Sequence, residues 1–258
     1  MRVDCKEYAR QIESSTLKII KYSNPMNPQL VVFHDDNPGS AIYRKMIAKD
    51  CERLGVHLID QNSFDVHIFD GYNKSGIPIL FQMPTTLCDR EYIESILNPV
   101  LDMDGISVEN AGRLYQGIMH INKNTCTAQA VSYIVDGLYG ECKDLNCVVI
   151  GRSNTVGKPV MMSMLERNAS VSIFHSASNQ KDIDYACKNA DIVVIASSGN
   201  LVYYPENFKK ESTVIDISEC CAPEVADEVQ HFVGKGNNLG CITRAILMNR
   251  VFSYYANQ

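Results

Sequence analysis

The sequence predicts an α/β protein of two domains, with a parallel sheet covered by helices in the second. Its 258 residues can bury two hydrophobic cores of modest size. In the second half, β-branched runs at 147–150, 170–174, 191–196 and 213–217 are separated by stretches that include helical patterns. Continuous apolar strands separated by helices are typical of a parallel sheet with two covered faces.

The first half alternates helical and extended patterns. Ser40 is a candidate cap for the second helix, and Gly55 is its candidate stop. The domain boundary is expected between residues 115 and 125. Apolar spacing predicts helices over 4–22, 40–54, 91–97, 128–138 and 242–255, and strands or short strand-like runs at 29–34, 56–59, 66–69 and 79–82.

Residues 146–165 have the pattern of a strand, a glycine turn and a helix. The strand stops at Gly151, and Gly157 and Pro159 open an apolar stretch with helical spacing. Such a turn directs backbone N–H groups and the positive end of the helix dipole at a phosphate. The alternative is a turn that only packs the helix on its strand.

The end of the next predicted strand bears on which nucleotide would bind. An NAD site carries an acidic residue about 20 positions after the glycines, where it binds the ribose 2′-hydroxyl. Here that place holds His175, Ser176 and Ala177, and Arg152 lies inside the glycine loop. A hydroxyl and a guanidinium suit a 2′-phosphate, which favours NADP. The alternatives are a solvated charge at Arg152 and a loop serine without a role.

Composition excludes several classes of function. The net charge of −6 offers no basic surface for nucleic acid or an anionic membrane. No apolar run reaches the ~18–20 residues of a membrane span, and the first residues lack an apolar signal core, so a cytoplasmic location is expected. The ten cysteines form no C-x-x-C pair or zinc spacing, so we expect free thiols and no metal.

A second set of polar residues falls in the first half. Ser40 and Tyr43 are three positions apart on one predicted helix, so they share a face. Gln82 ends a predicted strand, where α/β proteins collect their active-site residues, and Asp104 lies in a loop. The alternative is that Tyr43 only packs and Ser40 only caps.

Blocks of sequence in a fixed order resemble the methylenetetrahydrofolate dehydrogenase/cyclohydrolase family. They extend over about residues 29–217. The blocks are 36–43 (DNPGSAIY), 81–84 (FQMP), 102–105 (DMDG), 109–114 (ENAGRL), 151–159 (GRSNTVGKP) and 168–176 (NASVSIFHS).

The resemblance implies a folate-binding catalytic domain over 1–120, to which the helix 242–258 returns, and a Rossmann-like NADP-binding domain over 121–241. It implies a tetrahydrofolate derivative as substrate, NADP as cofactor and a homodimer. Tyr43 would line the pterin site, Gln82 would bond near the reacting centre and Asp104 would hold the pterin; these three are the implied catalytic residues. Substrate binding would also use Ser40. The implied cofactor-binding residues are Gly151, Arg152, Ser153, Val156, Gly157, Lys158, His175 and Ser176.

The sequence departs from the family at the position of its catalytic lysine, which is Ile47 here. The register is fixed because Cys51-Glu52 and Gly55 stay in step with the family. At 100° per residue, Lys45 and Lys49 lie about 200° and 240° from Tyr43, whereas position 47 lies about 40° away. We therefore expect neither lysine to replace it.

The family's proline-rich loop is also changed, to GKGNNLGCIT at 234–243. The sequence thus predicts NADP-dependent oxidation of 5,10-methylenetetrahydrofolate, with cyclohydrolase activity weak or absent. The alternative is a non-catalytic or repurposed member that binds nucleotide or folate.

Overall fold

The computed structural model describes residues 1–36, 38–120, 122–197, 201–237 and 239–258. Within these ranges, no helix is long and apolar enough to cross a membrane. The helices are α1 (Cys5–Ser23), α2 (Pro38–Leu54), α3 (Val66–Ser75), α4 (Arg90–Ile96), α5 (Val108–Tyr115), α6 (Cys126–Tyr139), α7 (Gly157–Leu165), α8 (Gln180–Asn189), α9 (Val225–Glu228) and α10 (Gly240–Ala256). The strands are β1 (Gln29–Phe33), β2 (His57–Gln61), β3 (Ile79–Phe81), β4 (Asn146–Ile150), β5 (Ser170–Phe174), β6 (Ile192–Ile195), β7 (Thr213–Asp216) and β8 (His231–Val233).

The chain forms two compact units. The first unit contains Arg10–Cys126 and Arg244–Gln258, and the second contains Met1–Ala9 and Thr127–Thr243. The sequence placed residues 1–9 in the first domain, which is wrong. The Val3 N–H donates to the Phe232 carbonyl at 3.0 Å, and the Phe232 N–H donates to the Met1 carbonyl at 3.0 Å. The first residues therefore join the β8 edge of the second unit's sheet.

The first unit is built on a parallel sheet in the order β2-β1-β3. Phe33 and Phe81 stack at 4.5 Å between ring centroids, and Phe69 of α3 packs against them. These rings belong to one hydrophobic cluster on the sheet. This core fixes the carboxyl ends of β1 and β3. Gln82 follows directly after the last residue of β3.

Two local predictions in the first unit are wrong. Residues 66–69 open helix α3, because Asp65 caps it by accepting the N–H groups of His67 and Ile68. A four-residue apolar run carries too little periodicity to distinguish a strand from a helix. Ser40 lies inside α2, since that helix begins at Pro38, so it is not the cap. Asn37, which belongs to the sequence block 36–43, lies outside the described residues.

The second unit is built on a parallel sheet in the order β5-β4-β6-β7-β8. The predicted α/β fold with a parallel sheet is confirmed. Within the sheet, β5 and β6 lie on opposite sides of β4, so the strand order reverses direction after β5. The carboxyl ends of β4 and β6 therefore form the switch point at which doubly wound sheets bind ligands.

Candidate functional site

The two glycines of the turn after β4 lie at positions that leave no room for a side chain. Gly151 has a φ of 125°, and a Cβ there would lie 2.7 Å from the Ala196 carbonyl carbon. A Cβ on Gly157 would lie 2.9 Å from the Arg152 nitrogen and still closer to the Gly151 carbonyl. Helix α7 consequently begins in direct contact with the end of β4, which gives a ligand close access to the backbone.

Ser153 organises the interior of this turn. Its Oγ accepts the N–H groups of Val156 at 3.1 Å and Gly157 at 3.3 Å, and its carbonyl accepts the Lys158 N–H at 3.0 Å. Lys158 Nζ donates to Asn154 Oδ1 at 2.8 Å. Three N–H groups at the start of α7 are thus already bonded to Ser153, whereas the sequence pattern suggested that such groups would face a phosphate.

A cleft of about 530 Å³ opens at the switch point. It lies beyond the carboxyl ends of β4, β6 and β7, and it is lined by Ser153, Val156, Ala196, Ser197, Ile217, Ser218 and Cys220. The two positions where a Cβ would clash border the same turn. A small-residue turn beside an open cleft fits the phosphates of a dinucleotide.

Arg152 and Ser176 lie two residues after the ends of the neighbouring strands β4 and β5. Ile150 of β4 pairs with Phe174 of β5, and the Gly151 N–H donates to the Phe174 carbonyl at 2.8 Å. Both side chains are exposed, and among the described residues neither has a hydrogen bond or ion pair. They leave the same edge of the sheet and are available to a ligand there.

His175 shapes the turn that carries Ser176. Its Nδ1 accepts the Ala177 N–H at 3.2 Å, and its own backbone N–H donates to Ser178 Oγ at 3.0 Å. The ring therefore bonds within the turn. This arrangement gives His175 a positioning role in the structure.

In the first unit, α2 carries Tyr43 and Ile47 one turn apart. Burial raises the pKa of the Tyr43 phenol well above its usual value, and the charges of Asp104 and Asp50 raise it further while Arg244 opposes them. Ile47 is 0% exposed, whereas Lys45 and Lys49 are exposed. The prediction that neither lysine shares the face of position 47 is confirmed.

Asp104 is held by the start of α6. Its Oδ1 accepts the Cys126 N–H at 2.8 Å. Burial raises the pKa of this carboxyl to about 6, while the Cys126 N–H and the Arg250 charge lower it and Asp102 raises it. Since Asp104 also contributes to the raised pKa of Tyr43, the structure brings these two predicted residues together.

Gln82 connects the end of β3 to the first turn of α2. Its Nε2 donates to the Ser40 carbonyl at 2.8 Å, and its backbone N–H donates to the Phe33 carbonyl at 2.9 Å. Its Oε1 is buried and has no hydrogen-bond partner among the described residues. A buried carbonyl without a donor is costly, so Gln82 offers an acceptor to a ligand that carries an N–H group.

Sequence reasoning missed Arg250, which is 1% exposed. Its guanidinium donates to the carbonyls of Met103 at 2.9 Å and Asn124 at 2.8 Å. A signal was present, because Ile242, Ile246 and Arg250 recur at four-residue spacing and so place an arginine on the apolar face of the last helix.

The loop at 234–243 begins with a tight turn. Gly234 and Asn237 exchange backbone hydrogen bonds, and Asn237 Oδ1 accepts the Cys5 N–H at 3.3 Å. Asn238 lies outside the described residues. All ten cysteines are free thiols, and the described ranges hold no group of three or more His, Cys, Asp or Glu side chains able to bind a metal.

Replacing Asp104 by asparagine is expected to change the pH dependence of stability. Because the folded-state pKa of about 6 exceeds the ordinary 3.8, the folded protein binds the proton more tightly. The free energy of unfolding therefore falls as pH rises from about 4 to about 6, by up to about 3 kcal/mol. In Asp104→Asn the free energy of unfolding should not fall over this pH range, so the variant should be more stable than the unmodified protein at pH 8. Urea unfolding from pH 4 to 8 measures it, and equal slopes in both proteins would contradict it.

Comparisons with known proteins agree with this architecture. Residues 125–258 match the family model described as tetrahydrofolate dehydrogenase/cyclohydrolase, NAD(P)-binding domain. The chain is 34% identical to bifunctional protein FolD of Rhizobium johnstonii, over 86% of this chain and 78% of that protein. The FolD structure from Campylobacter jejuni superposes with a TM-score of 0.87 at 22% identity, covering 100% and 99% of the two chains. The Trypanosoma brucei FolD structure, complexed with NADP cofactor and inhibitor, has a TM-score of 0.85 at 18% identity, covering 100% and 97%.

Proposed function

Because this chain belongs to the tetrahydrofolate dehydrogenase/cyclohydrolase family, we propose that it oxidises 5,10-methylenetetrahydrofolate with NADP and has little or no cyclohydrolase activity. The observation that carries this proposal is a contrast between the two units. The second unit keeps the glycine turn and its cleft, while the first unit has the buried Ile47 in the place of the family's lysine.

The second unit would hold the nucleotide. Residues 125–258 match the family's NAD(P)-binding domain, and NADP, when bound, accepts a hydride. Gly151 and Gly157 allow the pyrophosphate to approach the backbone, and Ser153 keeps the turn in shape. Arg152 and Ser176 would bind the ribose 2′-phosphate, which supports NADP over NAD. In this proposal, Val156 lines the cleft, and Lys158 and His175 complete the cofactor-binding set.

The first unit would hold the folate. Gln82 Oε1 would accept an N–H group of the substrate, and the Asp104 carboxylate would accept hydrogen bonds from the pterin. Tyr43 stays neutral and would line the pterin pocket, while Ser40 of the same helix would border it. These roles orient the substrate, and orientation is what hydride transfer requires most.

The cyclohydrolase step makes a different demand. Addition of water to the methenyl carbon needs a group that moves protons. Isoleucine carries no proton or charge, and the raised pKa of Tyr43 keeps the phenol from acting as a base near pH 7. We therefore propose that this step is lost while oxidation survives at a reduced rate.

The proposal is tested by mixing the protein with methylenetetrahydrofolate and NADP and following NADPH absorbance. NADPH formation that requires the folate supports the proposal, and Gln82→Leu should suppress it because the acceptor is lost. NADP binding without any NADPH formation would instead favour the alternative of a repurposed nucleotide-binding member.

Arg152→Ala is expected to weaken NADP binding selectively. Loss of one charge-assisted contact to the 2′-phosphate should cost about 1–3 kcal/mol, with NAD affinity unchanged. Titration of both nucleotides measures it, and Lys188→Ala, which removes an exposed charge from α8, is the control. An equal loss for NAD and NADP would show that Arg152 does not bind the 2′-phosphate.

We also propose that the protein is a homodimer with two-fold symmetry, joined at the edge of the second unit's sheet. Residues 1–3 bond to β8 at one edge, while β5 at the other edge has no further strand partner among the described residues. An open sheet edge favours pairing with a second copy. Light scattering at micromolar concentration should give twice the mass of 28.8 kDa. A monomeric mass would overturn this expectation.

A further inference from the structure

Arg250 links two loops of the first unit that together present Asp104. One loop lies between α4 and α5 and contains Met103, whose carbonyl accepts from the guanidinium at 2.9 Å. The other precedes α6 and contains Asn124, whose carbonyl accepts at 2.8 Å. Asp104 itself is bonded to the second loop's end through the Cys126 N–H. The same side chain therefore fixes both segments on which the position of this carboxylate depends.

The backbones of the two loops pack closely against each other at Gly105. Gly105 has a φ of 69°, and a Cβ there would lie 2.5 Å from the Asn122 carbonyl oxygen and 2.8 Å from the Asn124 carbonyl carbon. The guanidinium, with its planar set of donors, reaches a carbonyl on each side of this contact. Loss of the arginine would leave both carbonyls without this donor.

The charge of Arg250 needs a compensating charge, because an isolated buried guanidinium is strongly destabilising. Its two hydrogen bonds named above go to neutral carbonyls, and Asp102 and Asp104 lie in the adjoining loop. Asp102 is 1% exposed, and its Oδ2 accepts from the Ser107 N–H at 2.8 Å and Asn110 Nδ2 at 2.9 Å. Asp104 Oδ1 accepts the Cys126 N–H at 2.8 Å.

We propose that Arg250 is the positioning residue of Asp104, which it holds in place and keeps ionised for pterin binding in a site whose α2 carries no cation at position 47. This inference rests on the proposed function, since it assumes that the Asp104 carboxylate binds the folate. An ionised carboxylate offers only acceptors to the pterin, whereas the protonated form carries an O–H donor on one oxygen. In this site the arginine of α10 takes over the electrostatic part of what a lysine on α2 would supply.

The groups that face Asp104 come from several elements. They are Tyr43 of α2, Asp102 of the same loop, Cys126 of α6 and Arg250 of α10. Burial raises the pKa of Asp104 and Asp102 adds to the rise, while Arg250 and the Cys126 N–H lower it. Neutralising position 250 should therefore raise the pKa of Asp104 and increase the protonated fraction of this carboxyl at neutral pH.

The test compares the unmodified protein with Arg250→Met and Arg250→Lys. Tetrahydrofolate affinity is titrated from pH 5 to 8.5, and the Asp104 carboxyl is followed by ¹³C NMR, with Asp104→Asn used to assign its signal. For Arg250→Met we expect the NMR midpoint to rise by about one pH unit and the affinity to fall about fivefold at pH 6 and about twofold at pH 7, with recovery at pH 8.5. Arg250→Lys should keep the midpoint within about 0.3 unit because the charge is retained.

Each outcome separates this inference from the proposed function. If the unmodified protein does not bind tetrahydrofolate at pH 8, the proposed function fails, while the NMR midpoints still test the electrostatic role of Arg250. An Arg250→Met midpoint equal to that of the unmodified protein would overturn the inference. If the methionine variant does not fold, Arg250→Lys decides, since a midpoint raised by a full unit despite the retained charge would also overturn it.

Discussion

Replacing Gly157 by alanine is expected to reduce NADP affinity by at least about 100-fold. The added Cβ would meet the backbone of Gly151 and Arg152, and a backbone cannot rotate away as a side chain can. The start of α7 or the turn after β4 must then move, and both border the cleft. Displacement of the contacts to a pyrophosphate costs several hydrogen bonds at once, each worth about 1–3 kcal/mol.

Gly71→Ala is the matched control for this change. Gly71 lies in α3 with nothing within 4 Å of the position of a Cβ. The substitution should leave NADP affinity unchanged and stabilise the protein by about 0.5–1 kcal/mol, because alanine favours a helix. Isothermal calorimetry and thermal unfolding measure both effects. If Gly157→Ala binds NADP as tightly as Gly71→Ala does, the nucleotide does not use this turn.

Ile47→Lys is expected to raise methenyl hydrolysis more than it raises oxidation. Position 47 shares a helix face with Tyr43, so an amine there would enter the region that contains Tyr43 and Asp104. The position is 0% exposed, and a buried amine should cost about 2–4 kcal/mol of stability. Burial should also lower the pKa of the amine, toward the range in which it exchanges protons.

Ile47→Met is the control for changes in packing, because methionine has a similar volume to isoleucine and no group that can transfer a proton. It should show no gain in hydrolysis. Lys45→Ala and Lys49→Ala should change neither activity, because both lysines are exposed. A fall in activity on removing either lysine would show that one of them already serves the site.

Strands β4 to β7 of the second unit could be predicted because each is a short run rich in β-branched residues, whereas β8, with three residues, was too short to be predicted. The spacing of the glycine turn left a purely structural role open, and only the structure shows that a Cβ at Gly151 or Gly157 would clash with the backbone. Short elements failed for a physical reason. The run at 66–69 is too brief to reveal a period, and its helical state is fixed by the Asp65 cap and the packing of Phe69.

Long-range contacts were beyond the sequence pattern. Residues 1–9 join the second unit through backbone pairing with β8, which leaves no mark in side-chain type. In the first unit, Tyr43, Gln82 and Asp104 are site candidates from their motifs, and their roles remain predictions. The contacts of Arg250 could not be predicted, because its partners are backbone carbonyls more than a hundred residues away, and carbonyls have no sequence signature.

The most direct test of the central claim is a paired assay on the unmodified protein. One arm follows NADPH formation from methylenetetrahydrofolate and NADP, and the other follows loss of methenyltetrahydrofolate absorbance in buffer, corrected for spontaneous hydrolysis. We predict oxidation above background and no hydrolysis above the spontaneous rate. Robust hydrolysis would contradict the account, and its loss in Asp104→Asn would identify that carboxylate, with its pKa of about 6, as a replacement base.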